Sequence, residues 1–283
     1  MQQAVPPVGE ARSDYDIFSG LAERMGVADA FTAGRGEMDW LRHMYAGAQK
    51  SARRLDIDMP DFDAFWEDGY LEFKIPEDSA ILFEAFRADP DKAALKTPLG
   101  KIEIFSETID AFGYDDCPGH ATWMEPSEWL GSDTVFEFPL HLISNQPNTR
   151  LHAQLDQGRV SQDSKVSGRE PVRINETDAS ARGITNGDVV RIFNSRGAIL
   201  AGAVLTDGVR SGVVEIATGA WYDPIEPGQI GSLDRHGNPN VLTLDKGTSK
   251  LAQGPTAHST LVEMEKFDGE VPEITVFSPP NTI

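Results

Sequence analysis

Residues 143–156, ISNQPNTRLHAQLD, carry many hydrogen-bonding side chains directly after an apolar stretch. Arg150, His152 and Gln154 alternate, so an extended backbone would point all three side chains in one direction. A guanidinium, an imidazole and an amide along one edge suit a polyanionic or heterocyclic ligand, because arginine grips phosphate with two hydrogen bonds and amides match ring edges. The alternative is that these groups make the ordinary hydrogen bonds of a surface loop.

Two further segments are rich in groups that could contact a ligand. Residues 237–254 contain the predicted turn Asn238-Pro239-Asn240, and glycines at 247 and 254 that permit close backbone approach. Asn240 could present its amide there, or the segment could be a plain surface loop. Residues 168–197 hold several arginines, but their alternation with apolar residues and their turn signals favour a purely architectural role.

The rest of the sequence lacks a self-contained catalytic motif. It has no phosphate-binding loop, no dinucleotide fingerprint, no HExxH and no GxSxG. None of the six histidines has another two to four positions away, which disfavours a local metal site. With Cys117 as the only cysteine, an intramolecular disulfide and a cysteine-ligated cluster are excluded. The sequence therefore indicates binding rather than reaction.

The charge is large and unevenly distributed. The formal net charge of −20 disfavours nucleic acid as a partner. Residues 141–210, however, hold nine Lys and Arg against seven Asp and Glu. This basic segment in an acidic chain could mark an anion site or could be a chance fluctuation. No stretch is apolar for long enough to predict a membrane span.

The elements that must position these segments fall into two kinds. The first third predicts helices over 14–25, capped by Ser13, and over 37–52, with a short third helix capped by Asp61. Residues 102–105 predict a strand within a Pro- and Gly-rich region. From residue 136 short strands dominate, including a hairpin of 189–194 and 198–206, a short helix ended by Gly183, and a loose C-terminal tail. Together they indicate a compact β-barrel.

Five blocks of the sequence, in order, resemble the C-terminal region of the dimethyl-sulfoxide-reductase family of molybdenum enzymes. These are KTPLGKIEIFSETI, GYDDCPGHATWMEPSEWLG, SNQPNTRLHAQLD, GREPVRINETDASARGITNGDVVRIFNSRG and GNPNVLTLDKGTSKLAQG. The resemblance is strongest to the branch of trimethylamine-N-oxide, dimethyl-sulfoxide and biotin-sulfoxide reductases. It implies a mixed α and β fold, in which a helical N-terminal segment precedes a six-stranded double-psi β-barrel.

The resemblance also implies domains and a cofactor. Residues 1–135 would be the remnant of a larger α/β domain, 136–270 the molybdopterin-dinucleotide-binding barrel, and 271–283 a tail. The cofactor would be Mo-bis(molybdopterin guanine dinucleotide). Its expected contacts in this chain are Ser144, Asn145, Gln146, Pro147, Arg150, His152, Ala153, Gln154, Asn240, Val241 and Gln253. Two separated loops are thereby predicted to converge on one ligand.

In function, the resemblance implies the cofactor-binding portion of an S-oxide or N-oxide reductase. The family's N-terminal region, with its metal-ligating serine, is absent from this sequence, so we expect no catalytic or metal-ligating residue here and no turnover by this chain alone. Implied partners are the missing N-terminal portion, the oxide substrate, and an electron donor such as a c-type cytochrome or small redox protein. The expected location is periplasmic, with the cytoplasm as the alternative. A free-standing cofactor-binding module and an inert truncated fragment remain alternatives.

Overall fold

A computed structural model describes residues 3–74 and 81–279. The chain divides into two compact units, residues 1–89 and 90–283. The first unit contains five helices among its described residues: α1 Asp14–Arg24, α2 Ala28–Thr32, α3 Glu37–Arg53, α4 Phe62–Asp68 and α5 Glu84–Ala88. The predicted caps are present, since Ser13 accepts from the Asp16 N–H and Asp61 accepts from the Ala64 N–H.

Side chains of the first unit are only partly buried. Tyr45 is buried and lies against Phe62 and Phe65, with ring centroids 5.6 Å and 4.7 Å apart. The helical spacing of its apolar residues predicts that α1 buries one face, and this expectation is wrong. Ile17, Phe18, Leu21 and Met25 are each more than half exposed. Their spacing is that of an amphipathic helix, but the apolar side is not covered by the residues of the first unit that the structure describes.

The second unit is built around a closed six-stranded barrel of the double-psi type, which confirms the predicted fold class. Its strands are β1 Leu140–Ile143, β2 Pro171–Ile174, β3 Val189–Asn194, β4 Gly197–Leu205, β5 Val213–Ile216 and β6 Thr260–Lys266. They follow one another around the barrel in the order β1-β5-β2-β4-β3-β6. Short helices α6 Glu107–Asp110, α7 Arg159–Gln162 and α8 Glu176–Ala181 complete the unit, with 3₁₀ turns at Asp133–Phe136 and Pro239–Val241.

Apolar side chains that alternate along the strands fill the barrel. Leu142, Val172, Ile192, Ile199 and Ile216 are all fully buried, and each contributes about 1.5–3 kcal/mol relative to exposure. β2 pairs with β4 in parallel and with β5 in antiparallel register. The predicted hairpin 189–206 and the helix ended by Gly183 are confirmed. The barrel starts close to residue 136, but the predicted domain boundary there stays a prediction.

Two expectations for the second unit are wrong. Residues 102–104 form no strand. Ile102 and Ile104 are largely exposed, and only an isolated bridge joins Phe105 to His120. An alternation of apolar and polar residues does not show whether a second strand is present to pair with the first. The predicted loose tail is instead attached to the barrel unit over residues 272–277.

Side chains and backbone groups of the C-terminal segment contact residues close to the barrel, and Thr275 and Phe277 are examples. The Thr275 N–H and hydroxyl both donate to the carboxylate of Asp223, at 2.7 and 2.8 Å. Phe277 lies edge-to-face with His236, with 5.0 Å between ring centroids. Partly buried hydrogen bonds and ring contacts therefore hold this segment, although its composition is typical of a free tail. Residues 280–283 lie outside the described part of the chain.

Candidate functional site

The segment after β1 lines a cavity of about 360 Å³. Asn145, Gln146 and Pro147, three of the predicted contacts, form one side of it together with the two residues that follow. The opposite side comes from β2, β4 and β5. Ser144 is half-buried at the start of the segment, outside the lining. The sequence therefore predicted correctly that polar groups cluster here, and the barrel strands supply the rest of the wall.

A buried network of charges lies behind this cavity. The Arg150 guanidinium is 3.1 Å from Glu170 and 3.4 Å from Asp156, and the Lys165 ammonium is 2.6 Å and 2.8 Å from the same two carboxylates. The four side chains are between 0% and 3% exposed. Two positive and two negative charges therefore balance without solvent, which is the condition under which a buried ion pair is tolerated.

All three nitrogens of the Arg150 guanidinium donate to groups of the protein itself. Beyond its two carboxylates, the guanidinium donates to the carbonyls of His152 and Thr218 and to the hydroxyl of Ser161. These bonds tie the 150–156 loop to the residues after β5. Contact between Arg150 and a ligand stays a prediction, and the observed contacts give it the role of holding the loop.

The predicted extended backbone at 150–154 is wrong. His152 has a φ of 50°, in the left-handed region, and Leu151 bridges Gln154 across a tight turn. Arg150 therefore turns inward, while His152, Ala153 and Gln154 are exposed. A turn of this kind reverses the alternation from which the shared face was predicted. The contacts expected of the three exposed residues stay predictions.

Asp156 is the centre of the network. Burial alone would raise the pKa of its carboxyl, but hydrogen bonds from Lys165, from the Trp221 N–H and from Ser161 lower that pKa below its ordinary value. The group therefore remains a carboxylate in the interior. Because Asp156 binds partners from three parts of the chain, it fixes the loop against the barrel.

A second loop packs tightly on the first. A Cβ placed on Gly219, whose φ is 94°, would lie 2.0 Å from the carbonyl oxygen of His152. Only glycine satisfies both the backbone angle and the close approach. Next to it, the Trp221 indole N–H donates to the carbonyl of Ala153 at 2.7 Å. These contacts make residues 152–153 a rigid, exposed corner.

Hydrogen bonds also connect residues 152–153, through Trp221 and His236, to the predicted binding segment 237–254. His236 is fully buried, and its Nδ1 lies 2.9 Å from the Trp221 carbonyl, so Nδ1 must carry the proton that is donated. Asp234 accepts from the N–H groups of His236, Gly237 and Asn238 through one oxygen. The turn before Asn240 is thus positioned by the same interior that positions residues 152–153.

Asn240 and Val241 nevertheless line a different cavity. This cavity, of about 330 Å³, also includes Arg196 and Tyr222 and shares no residue with the first. Asn238 caps the predicted turn, and Val241 packs against the barrel core. Gln253 lines neither cavity; its amide donates to the Ser249 carbonyl. That both loops meet one ligand stays a prediction.

Sequence reasoning missed the residues that the barrel strands contribute to the first cavity, among them Arg173 on β2 and Glu215 on β5. These two residues are directly opposite in the antiparallel pairing of these strands. Arg173 was placed within the architectural segment 168–197, and neither residue belongs to a motif. The alternation of Val172, Arg173 and Ile174 did mark Arg173 as outward-facing, but only the strand register brings it to Glu215.

The local excess of basic residues is largely neutralised. Arg182 pairs with Glu263, Arg191 with Glu265, and Arg196 with Glu128. Burial favours the neutral form of Glu128, yet the bonds from Arg196 and the Leu261 N–H lower the pKa of its carboxyl. Arg173 differs from these three arginines. It is exposed, and among the described residues its guanidinium has no hydrogen bond or ion pair partner.

Within 3–74 and 81–279, no group of three or more histidine, cysteine, aspartate or glutamate residues is arranged to hold a metal ion. Over the same ranges, every helix is too short or too polar to cross a bilayer.

Comparison with known proteins gives a consistent result. Residues 140–261 match the family described as molydopterin dinucleotide binding domain. The chain is 48% identical over 281 residues to the dimethyl sulfoxide/trimethylamine N-oxide reductase of Cereibacter sphaeroides, covering 99% of this chain and 34% of that protein. It is 49% identical over 278 residues to trimethylamine-N-oxide reductase 1 of Escherichia coli K12, covering 97% and 33%. The chain thus spans about a third of the length of these relatives.

Among solved structures, acetylene hydratase from Pelobacter acetylenicus superposes with a TM-score of 0.68. The alignment covers 94% of this chain and 34% of that chain, at 19% sequence identity. This likeness concerns the fold alone.

Proposed function

Because the chain belongs to the dimethyl-sulfoxide-reductase family of molybdopterin oxidoreductases, whose C-terminal region it matches, we propose that it binds Mo-bis(molybdopterin guanine dinucleotide) as part of an S-oxide or N-oxide reductase. When bound, that group supplies two-electron oxygen-atom transfer. The residues of this chain bind and orient it, and none of them is assigned a catalytic role. The remaining two thirds of the relatives' length would supply the other contacts.

One observation carries the proposal: the polar segment that resembles the family's cofactor loop also lines a cavity with unsatisfied groups. Asn145 Oδ1 is buried and has no partner among the described residues. Arg173 contributes a positive charge that no described carboxylate neutralises. An oxygen acceptor and a cation fit a ligand that combines a ring bearing N–H groups with phosphates. The residues present therefore suit the dinucleotide.

The exposed apolar side chains support a partner polypeptide. Ile17 and Phe18 on α1, and Ile104, Trp123 and Phe136 in the second unit, are at least half exposed. Surfaces of this kind mark interaction sites. We assign their covering to the part of the reductase that this chain does not include. By the same family argument, we propose a periplasmic location and a c-type cytochrome or small redox protein as electron donor.

A chimera tests the proposal. This chain would replace the matching third of the Cereibacter reductase, and the purified fusion would be assayed for molybdenum, for extractable pterin and for trimethylamine-N-oxide reduction. We expect close to one molybdenum per fusion protein, and none in a control that lacks residues 136–279. Equal molybdenum in that control, or none in the fusion, would contradict the proposal.

A further inference from the structure

Residues 272–277, the C-terminal strap, lie against the barrel unit without joining its sheet, since none of them pairs with a strand in the described part of the chain. One carboxylate holds the middle of the strap. Asp223 is 5% exposed and accepts from the Thr275 N–H and hydroxyl, at 2.7 and 2.8 Å, and from the Val276 N–H at 3.2 Å. The strap is therefore attached by specific side chains and not by a strand ladder.

Two arginines of the barrel unit hold the beginning of the strap. The Arg169 guanidinium donates to the carbonyl of Pro272, and the Arg235 guanidinium donates to the carbonyl of Glu273. Arg169 is only 3% exposed. A buried guanidinium that loses an acceptor is left with an unpaired donor, which costs more free energy than the hydrogen bond itself contributes. The arginines therefore favour the attached strap over a free one.

The end of the strap contacts Trp221. The ring centroids of Phe277 and Trp221 are 5.6 Å apart. Trp221 connects this ring to the 150–156 loop, because its indole N–H donates to the Ala153 carbonyl and its backbone N–H donates to the Asp156 carboxylate. A single residue thus links the strap to the loop that carries most of the predicted cofactor contacts.

The 150–156 loop needs such support because part of its backbone is strained. His152 and Leu155 have φ angles of 50° and 60°, in the left-handed region that residues with a side chain seldom adopt. A strained backbone persists only where surrounding contacts fix it. The hydrogen bond from Trp221 reaches the loop at Ala153, between the two strained residues. This bond is therefore one of the contacts that hold the strained conformation.

We propose that the C-terminal strap positions the corner at residues 152–153, and that Phe277 is the positioning residue. Packing of the Phe277 ring restricts rotation of the Trp221 side chain, so that the indole N–H stays directed at the loop. The effect on the loop follows from these contacts alone. The effect on cofactor retention rests on the proposed function, because residues 152–153 are among the predicted contacts. None of the five sequence blocks that resemble the family reaches the strap.

Hydrogen–deuterium exchange of the complete 283-residue chain, followed by mass spectrometry, tests the positioning. Phe277→Ala should accelerate exchange by at least about 10-fold in peptides that cover 150–158 and 218–224, because these segments would open locally more often. Exchange in the hairpin 189–206 should not change. Unaltered exchange in 150–158, or an equal acceleration throughout the barrel, would overturn the inference.

Further variants control for general effects of the substitution. Phe267→Ala removes a half-buried ring just after β6 and should leave exchange in 150–158 unchanged. Phe277→Tyr keeps the aromatic ring and should restore slow exchange. If Phe277→Ala does not fold, Thr275→Val removes one strap donor to Asp223 and keeps the ring, so it should accelerate exchange in 150–158 by a smaller factor. A folded Thr275→Val variant without acceleration would then contradict the inference.

The chimera tests the consequence for the cofactor. A fusion that carries Phe277→Ala should lose molybdenum faster during gel filtration than the native fusion does, and Phe277→Tyr should lose it at the native rate. Equal retention in Phe277→Ala, together with accelerated exchange in 150–158, would refute the effect on the cofactor while the proposed function stands. A native fusion that never acquires molybdenum would instead refute the proposed function, and the exchange pattern would still decide the role of the strap.

Discussion

The barrel and the helical unit differ in how completely each buries its own apolar side chains. Leu142 on β1 and Ile192 on β3 are inaccessible to solvent, whereas Phe18 and Leu21 on α1 are about half exposed. Both regions follow the expected periodicity of their elements. The strands close on one another and so complete a core. Helix α1 presents an apolar face that the described residues of its own unit do not cover, so its sequence pattern fits a larger surface than these residues provide.

Charged side chains show the same contrast. Asp156 in the barrel unit is fully buried and accepts from three donors, while Asp63 on α4 is 79% exposed and pairs with Arg42. A buried ion pair depends on every partner, because a single removal leaves an uncompensated charge. An exposed pair competes with water and salt and stabilises little. Comparable ion pairs should therefore differ widely in energetic importance between the two regions.

The largest expected effect comes from replacing these two carboxylates in the same way. Asp156→Asn should lower the free energy of unfolding by about 3–5 kcal/mol, because Lys165 and Arg150 would keep buried charge without balance. The matched change Asp63→Asn should cost less than about 1 kcal/mol. Urea denaturation followed by circular dichroism measures both. Similar losses of unfolding free energy in the two variants would contradict the predicted difference between buried and exposed ion pairs.

The consequence for the cofactor loop can be tested with the same protein. Because the sequence predicts that Arg150 contacts the cofactor, Arg150→Ala should reduce cofactor binding by removing hydrogen bonds to it. Its buried position predicts a loss of stability as well. Measuring molybdenum content in chimeras that remain folded separates the two effects.

Truncation of apolar side chains sharpens the comparison. Leu142→Ala in the barrel should reduce the free energy of unfolding by about 2–5 kcal/mol, since it loses buried surface and leaves a cavity. Leu21→Ala on α1 should change it by about 0.5 kcal/mol or less in the isolated chain, as expected for a half-exposed position. Denaturant midpoints of the two variants provide the measurement. A Leu21→Ala cost as large as that of Leu142→Ala would mean that α1 is covered within this chain.

The sequence predicted helix starts and a hairpin correctly, because contacts between neighbouring residues determine these features. Ser13 and Asp61 marked helix starts because their side chains cap nearby N–H groups. The hairpin 189–206 was visible because a turn signal separates two alternating runs. Residues 102–104 show the limit of this reasoning. They alternate equally well, yet form no strand, because a strand also requires a partner that the pattern cannot specify.

The candidate site shows a similar division. The cluster of polar residues at 144–154 was recognisable from composition, but the direction of each side chain was not. The left-handed φ at His152 turned Arg150 into the interior, and only the long-range contacts with Thr218 and Glu170 explain that orientation. Arg173 and Glu215 are 42 positions apart in the sequence, and the strand register places them opposite each other. Such pairing follows from topology, which a single sequence does not encode locally.

The smallest expected effect is a pH dependence that belongs to the barrel unit alone. Burial of the His236 ring, followed by the nearby charge of Lys165, lowers its pKa below the ordinary 6.5, although the Trp221 carbonyl and the carboxylates of Asp156 and Asp234 act in the opposite direction. The folded state therefore holds the neutral ring, while the unfolded chain takes up a proton near pH 6.5. The contribution of His236 to the free energy of unfolding is therefore fully present above that pH. It decreases as the pH falls below it, by at most about 1.4 kcal/mol per pH unit.

Substitution of histidines in the two regions tests this assignment. His236→Gln keeps a donor for the Trp221 carbonyl and should flatten the stability profile between pH 7 and pH 5, as measured by thermal unfolding. His43→Gln on the exposed side of α3 should leave the slope unchanged. The lowered pKa of Asp156 acts only below its ordinary value of 3.8, so its loss of stability lies at more acidic pH and does not overlap this window. A slope that survives in His236→Gln would place the titrating group elsewhere, and the barrel interior would then not be the source of the pH sensitivity.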